Sequence, residues 1–159
     1  MTQTTITRRL AFDAGHRVVG HEGKCANLHG HRYVADIVVT AKGLDTLGRV
    51  IDFSVVKRLV GGWVDEQWDH NMLLNSLDPL FEVITEAGAT GSRNPIRRSF
   101  GPKIPYTFNA ENPTAEVIAK ELFRKSVELL EGSKISVVSV RIWETPNCWA
   151  DFSADPTGL

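Results

Sequence analysis

The amino-acid sequence predicts an α+β fold, in which an antiparallel sheet carries two helices on one face. Apolar residues alternate with period two along several segments, which is typical of half-buried strands. In two other segments they recur with the helical period. The order of the segments is β-β-β-α, an insertion, and then α-β-β, which favours a single sheet covered by helices on one side.

The predicted strands have a consistent apolar face. In the first strand, residues 10, 12 and 14 are apolar and share the side of His16, and in the second, every second residue from 33 to 41 is apolar and shares the side of His29. In the fourth, Val140, Ile142 and Glu144 share one parity with Val138, so the carboxylate is expected on the apolar side. A buried carboxylate without a partner is costly, so it should be paired or lie at the mouth of a pocket. The predicted strands are residues 4–16, 29–42, 49–53, 135–144 and 148–152.

Two helices are predicted from their starts and their apolar stripes. Ser54 can cap the first helix, which contains Gly61-Gly62. Each interior glycine costs about 1 kcal/mol relative to alanine, so a packing reason is expected there. The second helix begins at Asn112-Pro113-Thr114 with Glu116 in its first turn, and it ends near Gly132.

Composition places the chain among ordinary globular proteins. Its 159 residues are 42% hydrophobic and 23% charged, which suits one domain with a core. A net charge of -1 argues against general binding of nucleic acid. The two cysteines are too few for a secreted disulfide scaffold, and no secretory signal or membrane-length apolar run is present. We therefore expect a cytoplasmic protein with no membrane partner.

The segment from Cys25 to His31 predicts a metal site. His29 and His31 are two residues apart at the start of a strand, so they share a face roughly 6.6 Å apart. His16 ends the preceding strand on its own apolar side. Neutral imidazole is the commonest metal ligand, and three protein ligands with an open fourth position describe catalytic zinc.

Two roles for Cys25 are compatible with this spacing. As a thiolate it could be a fourth ligand, which would close the site and make it structural. Alternatively, it stands beside an open metal site as a reactive group. An accidental His-x-His at a strand end is the third reading, since that pattern alone is weak.

Residues 88–108 differ in character from the rest of the chain. Glycines and prolines break any regular pattern, and no acidic residue lies between Gly88 and Phe108. Long loops of this kind are either functional or plain solvated surface. The segment is thus a basic flap for a polyanionic substrate or an exposed loop. Its basic residues are Arg93, Arg97, Arg98 and Lys103.

Five motifs, taken together and in order, resemble the 6-pyruvoyl-tetrahydropterin synthase family. The short Cys-x-x-x-His-Gly-His spacing is more similar to its bacterial branch, the 6-carboxytetrahydropterin synthases of the queuosine pathway. The resemblance covers nearly the whole chain, as one domain over residues 1–159 with a basic loop insertion at about 80–108. The motifs are Phe12-Asp13-Ala14-Gly15-His16, Cys25 to His31, Asp69-His70, Asn112 to Glu116, and Glu144-Thr145.

The resemblance implies roles for the metal-site residues. His16, His29 and His31 would bind zinc, in agreement with their spacing. Cys25 would be a general base rather than a ligand, which favours the open site. A thiolate beside cations is a reactive base.

The resemblance also implies roles for three other residues. Asp69 and His70 would form an acid–base pair that meets Cys25 across a subunit boundary, whereas from the sequence alone an Asp-His pair is more often a turn feature. Glu144 would anchor the pterin ring, whose 2-amino-pyrimidinone edge offers two hydrogen bonds to a carboxylate.

The implied reaction starts from 7,8-dihydroneopterin triphosphate and yields 6-carboxy-5,6,7,8-tetrahydropterin, triphosphate and acetaldehyde. The implied fold is the tunnelling fold, a four-stranded antiparallel sheet with two helices on one face that associates into an oligomeric barrel. Two alternatives remain: pyruvoyl-tetrahydropterin synthesis, which stops at elimination, and a non-catalytic homologue that binds zinc or pterin.

Overall fold

A computed structural model describes residues 3–89 and 103–154 of the chain. Among these residues it contains a six-stranded mixed sheet and four α-helices. The strands are β1 (Thr5–His16), β2 (His29–Ala41), β3 (Asn71–Asn75), β4 (Tyr106–Phe108), β5 (Ile135–Thr145) and β6 (Cys148–Ser153). The α-helices are α1 (Phe53–Val56), α2 (Gly62–Gln67), α3 (Leu80–Ala89) and α4 (Ala115–Leu129).

The sheet has the strand order β4-β3-β1-β2-β5-β6. Strands β1, β2, β5 and β6 pair antiparallel, as the sequence predicts, whereas β3 pairs parallel to both β1 and β4. The predicted four-stranded antiparallel sheet is therefore wrong in strand number. Strands β3 and β4 have only five and three residues, too few for an alternating pattern to be visible.

The core lies between one face of the sheet and the helices α1, α2 and α4. The inward residues of β1 and β2 are those of the predicted parity, and they pack against the apolar stripes of the helices. This confirms the prediction of helices on an apolar sheet face for the described part of the chain. The largest fully buried side chains include Trp68, Tyr33, Phe12, Ile37 and Leu122.

The predicted strand at residues 49–53 is wrong, because Asp52 ends the extended chain there. Its carboxylate accepts a hydrogen bond from the backbone amide of Ser54 at 2.8 Å, so Asp52 rather than Ser54 caps α1.

A π-helical turn, Lys57–Gly61, joins α1 to α2. A side chain at Gly61 would meet Leu10 Cδ2 at 3.2 Å, which supplies the expected packing reason for that glycine. At Gly62, no atom of the described part of the chain outside the helix itself lies within 4 Å of the equivalent position.

The range 80–108, predicted as a loop, is not irregular throughout. Helix α3 begins where the Asp78 carboxylate accepts a hydrogen bond from the Leu80 amide at 2.8 Å. Residues 104–105 then lead into β4. Arg93, Arg97 and Arg98 lie outside the described residues. No helix in the described ranges is long and apolar enough to cross a bilayer.

Asp78 also forms a buried ion pair with Arg17, the residue that follows β1. The guanidinium donates to both carboxylate oxygens, one of them at 2.7 Å from Nε to Oδ2, and the Asp78 side chain is fully buried. This bidentate contact is the main cause that holds the pKa of Asp78 below its ordinary value. The pair fixes the start of the loop that carries Cys25 to the start of α3.

Replacing Asp78 by asparagine should make stability less sensitive to acid. Because the folded-state pKa of Asp78 is depressed, its carboxylate stabilises the fold above about pH 4, and this contribution is lost as the pH falls through the folded-state pKa. At pH 7 the variant should be less stable by about 2 kcal/mol, because the Arg17 charge loses its partner. Urea unfolding at a series of pH values measures this effect. Equal acid sensitivity in the two proteins would contradict it.

Candidate active site

Three imidazoles converge where β1 ends and β2 begins. The register of the two strands places His16 opposite His29 and Ala14 opposite His31, so all three side chains lie on the same face. One ligand nitrogen from each histidine lies within 4.8 Å of the others. His16 is 1% exposed, whereas His29 and His31 are half-buried. The sequence placed these three residues together, and the structure brings them together.

The hydrogen bonds of this cluster fix which nitrogens are free. His16 Nδ1 lies 2.8 Å from the Pro113 carbonyl and His29 Nδ1 lies 2.7 Å from the Asn27 carbonyl. Carbonyl oxygens only accept, so both Nδ1 atoms carry the proton, and in the neutral rings both Nε2 atoms are left as lone-pair acceptors. These two Nε2 atoms lie 3.1 Å apart. Two lone pairs at that distance repel each other unless a cation lies between them.

Burial favours the neutral, metal-binding form of two of these rings, those of His16 and His31. Burial lowers the pKa of His16, and the neighbouring rings of His29 and His31 lower it further. Burial also lowers the pKa of His31. Neutral imidazoles with fixed tautomers are the usual ligands of catalytic zinc. The donor set therefore fits a divalent cation, and the predicted ability to hold a metal is supported.

Glu144 reaches this cluster from β5. One carboxylate oxygen lies 3.4 Å from His16 Nε2 and 3.6 Å from His31 Nε2. Glu144 is also one of the seven residues that line a groove of about 550 Å³. The expected place of this carboxylate at a pocket is thus met, whereas His16 Nε2 beside it is an acceptor in the neutral ring and so is not a hydrogen-bond donor to it. The other lining residues are Arg9, Arg32, Val34, Trp143, Thr145 and Pro146.

The parity that predicted the orientation of Glu144 is interrupted by two irregularities in β5. Ser139 pairs with Val38 but Val137 pairs with Val39, so Val138 is an extra residue at a β-bulge. A second irregularity toward β6 falls at Glu144 itself. Val138 therefore does not share the inward face, although Glu144 does approach the histidines.

Cys25 lies in a single 3₁₀ turn, Lys24–Ala26, within the loop between β1 and β2. It is half-buried and forms no disulfide. The group of mutually close ligand atoms among the described residues contains the three imidazoles and not this thiol. The arrangement favours the role of Cys25 beside the cluster over its role as a fourth ligand.

Asp69 and His70 form a close pair in the turn after α2. His70 Nδ1 donates to Asp69 Oδ2 at 2.7 Å, and the other carboxylate oxygen accepts from the Asp13 amide at 2.9 Å. Burial alone would raise the pKa of Asp69, but these two hydrogen bonds and the nearby Lys103 charge lower it below its ordinary value. His70 has a positive φ of 54° and is 76% exposed. An ionised Asp69 accepts from His70 Nδ1 and so orients the ring.

Lys103, one of the basic residues of the predicted flap, contacts this turn. Its Nζ donates to the backbone carbonyls of Asp65 at 2.9 Å and Asp69 at 2.5 Å. These carbonyls are at the carboxyl end of α2, where a cation is favourable. Lys103 thus stabilises the turn that presents the Asp69–His70 pair.

Two contributions to the site have no signal in the sequence. The Pro113 and Asn27 groups that orient the imidazoles are backbone carbonyls, which every residue possesses. Tyr33 packs edge-on to His16 and His31 at ring distances of 5.8 and 5.5 Å. Its hydroxyl is buried without a hydrogen-bond partner among the described residues. Only the parity of Tyr33 with the histidines could have indicated its place.

Comparison with known proteins identifies the class. The sequence model of 6-pyruvoyl tetrahydropterin synthase matches residues 5–155, so the chain belongs to that family. The resemblance predicted from the five motifs is therefore confirmed.

Curated relatives specify the class further. The chain is 44% identical over 149 residues to the 6-carboxy-5,6,7,8-tetrahydropterin synthase of Rickettsia bellii, covering 91% of this chain and 96% of that protein. It is 30% identical over 150 residues to the protein of the same name from Haemophilus influenzae, covering 92% and 96%. A 6-carboxytetrahydropterin synthase is a lyase, and the prediction that the chain is an enzyme of this kind is confirmed.

Two solved structures share the fold. An uncharacterized protein from Wolinella succinogenes superposes with a TM-score of 0.81 at 23% identity, covering 98% of this chain and 100% of that chain. The 6-pyruvoyl tetrahydropterin synthase of Caenorhabditis elegans gives a TM-score of 0.66 at 23% identity, covering 98% of each. At these identities the likeness concerns the fold alone.

Proposed function

We propose that this chain converts 7,8-dihydroneopterin triphosphate and one water to 6-carboxy-5,6,7,8-tetrahydropterin, releasing triphosphate and acetaldehyde, and so serves queuosine biosynthesis. One observation carries the proposal. Three imidazoles bring one ring nitrogen each within 4.8 Å of one another beside Glu144, and the loop with Cys25 follows directly from His16. The names of the curated relatives support this choice of reaction.

Zinc is the proposed metal, and His16, His29 and His31 are its proposed ligands. When bound, it supplies Lewis-acid polarisation of the substrate side-chain oxygens, which acidifies the adjacent C–H bonds. The carbonyls of Pro113 and Asn27 hold the rings of His16 and His29 in the ligating tautomer.

Cys25 is the proposed general base, taking the proton from the acidified carbon. His70 is the proposed proton shuttle, with Asp69 holding its Nδ1–H. The high exposure of His70 suits a group that completes its site with a neighbouring chain.

Glu144 is the proposed anchor of the pterin ring. Its position between the imidazoles and the 550 Å³ groove lets one carboxylate hold the ring while the C6 side chain extends toward the histidines. Within the groove, Arg32 is the less neutralised cation, since its contact with Asp13 is 3.4 Å long whereas Arg9 pairs closely with Asp36.

The proposed assembly is a homo-oligomer of the tunnelling-fold type. Strands β4 and β6 end the sheet of the described residues and leave backbone groups for pairing with another chain. In such an assembly the Asp69–His70 pair of one chain would meet Cys25 of another.

Incubation with dihydroneopterin triphosphate and identification of the products by mass tests the reaction. We expect 6-carboxytetrahydropterin together with acetaldehyde. A pyruvoyl product without acetaldehyde would assign the chain to the elimination-only reaction instead. Tight pterin binding without turnover would make it a non-catalytic homologue and contradict the proposal.

A further inference from the structure

The Asn112-Pro113 dipeptide lies between the imidazole cluster and the loop that carries Cys25. The sequence marked this segment as a helix start and as one of the five motifs of the family resemblance. Its backbone and side chains have partners on both sides of the candidate site, and these contacts define a role that goes beyond capping α4.

The side chain of Asn112 holds the backbone of Val19. Its Oδ1 accepts from the Val19 amide at 3.0 Å, and its Nδ2 donates to the Val19 carbonyl at 2.9 Å. This pair of bonds satisfies both backbone groups of one loop residue, as a neighbouring strand would. Asn75 Nδ2 lies 3.3 Å from the same Oδ1 and fixes the orientation of the carboxamide.

The restraint continues directly to the thiol residue. The Val18 amide, next to the held residue, donates to the Cys25 carbonyl at 2.8 Å. Arg17, one residue earlier, is tied to the buried Asp78. The three consecutive loop residues 17–19 are thus each held by a hydrogen bond. The 3₁₀ turn that contains Cys25 is bonded to the middle one, Val18.

Pro113, the residue after Asn112, contacts one of the three imidazoles. The Pro113 carbonyl accepts from His16 Nδ1 at 2.8 Å, and the proline ring limits the backbone freedom of the dipeptide. The Thr114 amide donates to the Asn112 carbonyl at 2.8 Å, and Thr114 caps α4. The dipeptide is therefore rigidly attached to the long helix behind the site.

We propose that Asn112 and Pro113 form a positioning unit that sets the placement of the Cys25 thiol relative to the three imidazoles. Pro113 orients His16, and Asn112 orients the loop through Val19. The inference rests on the proposed function of Cys25 as the base. A base must lie within a few tenths of an ångström of its working position, and misplacement by about 1 Å costs about 100-fold in rate.

The test is Asn112→Ala in a Cys148→Ser background, so that Cys25 is the only thiol. We expect kcat to fall about 10–100-fold with KM changed less than about threefold, because Glu144 and the imidazoles still hold the substrate. Zinc per chain should be unchanged. Alkylation of Cys25 by iodoacetamide should become at least about fivefold faster, because the freed loop exposes the thiol.

Asp45→Ala in the same background is the matched control. Asp45 also holds loop backbone through two bonds to its Oδ1, from Leu47 and Arg49, but at residues 45–49 outside the candidate site. It should leave kcat and the alkylation rate unchanged. The positioning role is wrong if Asn112→Ala keeps wild-type kcat and alkylation, or if it loses zinc.

Hydrogen exchange on the wild-type protein tests the same contacts without a substitution. The Val18 and Val19 amides should be protected like those of β1, whereas the amides of Gly20 and Glu22, which have no hydrogen-bond acceptor among the described residues, exchange rapidly. Rapid exchange at Val18 and Val19 would overturn the proposal even if Asn112→Ala failed to fold. Exchange and alkylation do not depend on turnover, so a failure of the proposed reaction remains distinguishable from a failure of the positioning unit.

Discussion

Replacing Cys25 by alanine should lower turnover about 1,000-fold while leaving the bound metal in place. The expected loss is that of a general base, which contributes about 10²–10⁴-fold. The metal should remain because the ligand atoms that lie close together belong to the three imidazoles and not to the thiol. Single-turnover kinetics with dihydroneopterin triphosphate measures the loss.

Cys148→Ala is the matched control for this variant. Cys148 is exposed at the start of β6, and it is the only other cysteine of the chain. It should keep at least about half of the activity, as is usual for surface substitutions. If Cys25→Ala turned over at the rate of Cys148→Ala, Cys25 would not be the base.

Replacing His31 by alanine should abolish stoichiometric metal binding. It removes one of three ligands, and even partners that only orient a ligand are worth 10–100-fold in metal affinity, so we expect a loss of more than about 100-fold. Competition with a coloured chelator measures the dissociation constant. The fold itself should survive, since His31 is half-buried at the end of the core and Tyr33 beyond it keeps its packing against Phe12.

His21→Ala provides the comparison for the loss of an imidazole. His21 lies on the same loop as Cys25 but outside the group of three, and among the described residues its ring accepts only a local hydrogen bond from the Gly23 amide. Metal affinity should be unchanged. An equal effect of the two substitutions would mean that the cluster is not the metal site.

The parts of the fold that depend on local alternation or helical period were predictable. The two long strands that carry the histidines and the helix that begins after Thr114 follow from side-chain pattern and capping residues. Strands β3 and β4 could not be predicted, because they are short and pair parallel to residues far away in the sequence. The Arg49–Phe53 segment holds three apolar residues, as a short strand can, but the capping bond of Asp52 makes its end the start of a helix.

The candidate site likewise has a part that could be predicted from local sequence and a part that depends on long-range contacts. The imidazole cluster was predictable because strand parity and His-x-His spacing are local. The closeness of Glu144 to His16 and His31 depends on the pairing of β5 with β2 and on a bulge at Val138, which no local pattern indicates. The restraint of the Cys25 loop by Asn112 joins residues 93 positions apart. Long-range hydrogen bonds of this kind need the folded chain.

Elemental analysis of the purified protein and its variants tests the central claim most directly. The proposed site, with His16, His29 and His31 as ligands and Cys25 outside the ligand set, predicts about one zinc per chain in the wild type and in Cys25→Ala, and none in His31→Ala. Absence of stoichiometric metal from the wild type, or its loss from Cys25→Ala, would contradict this account.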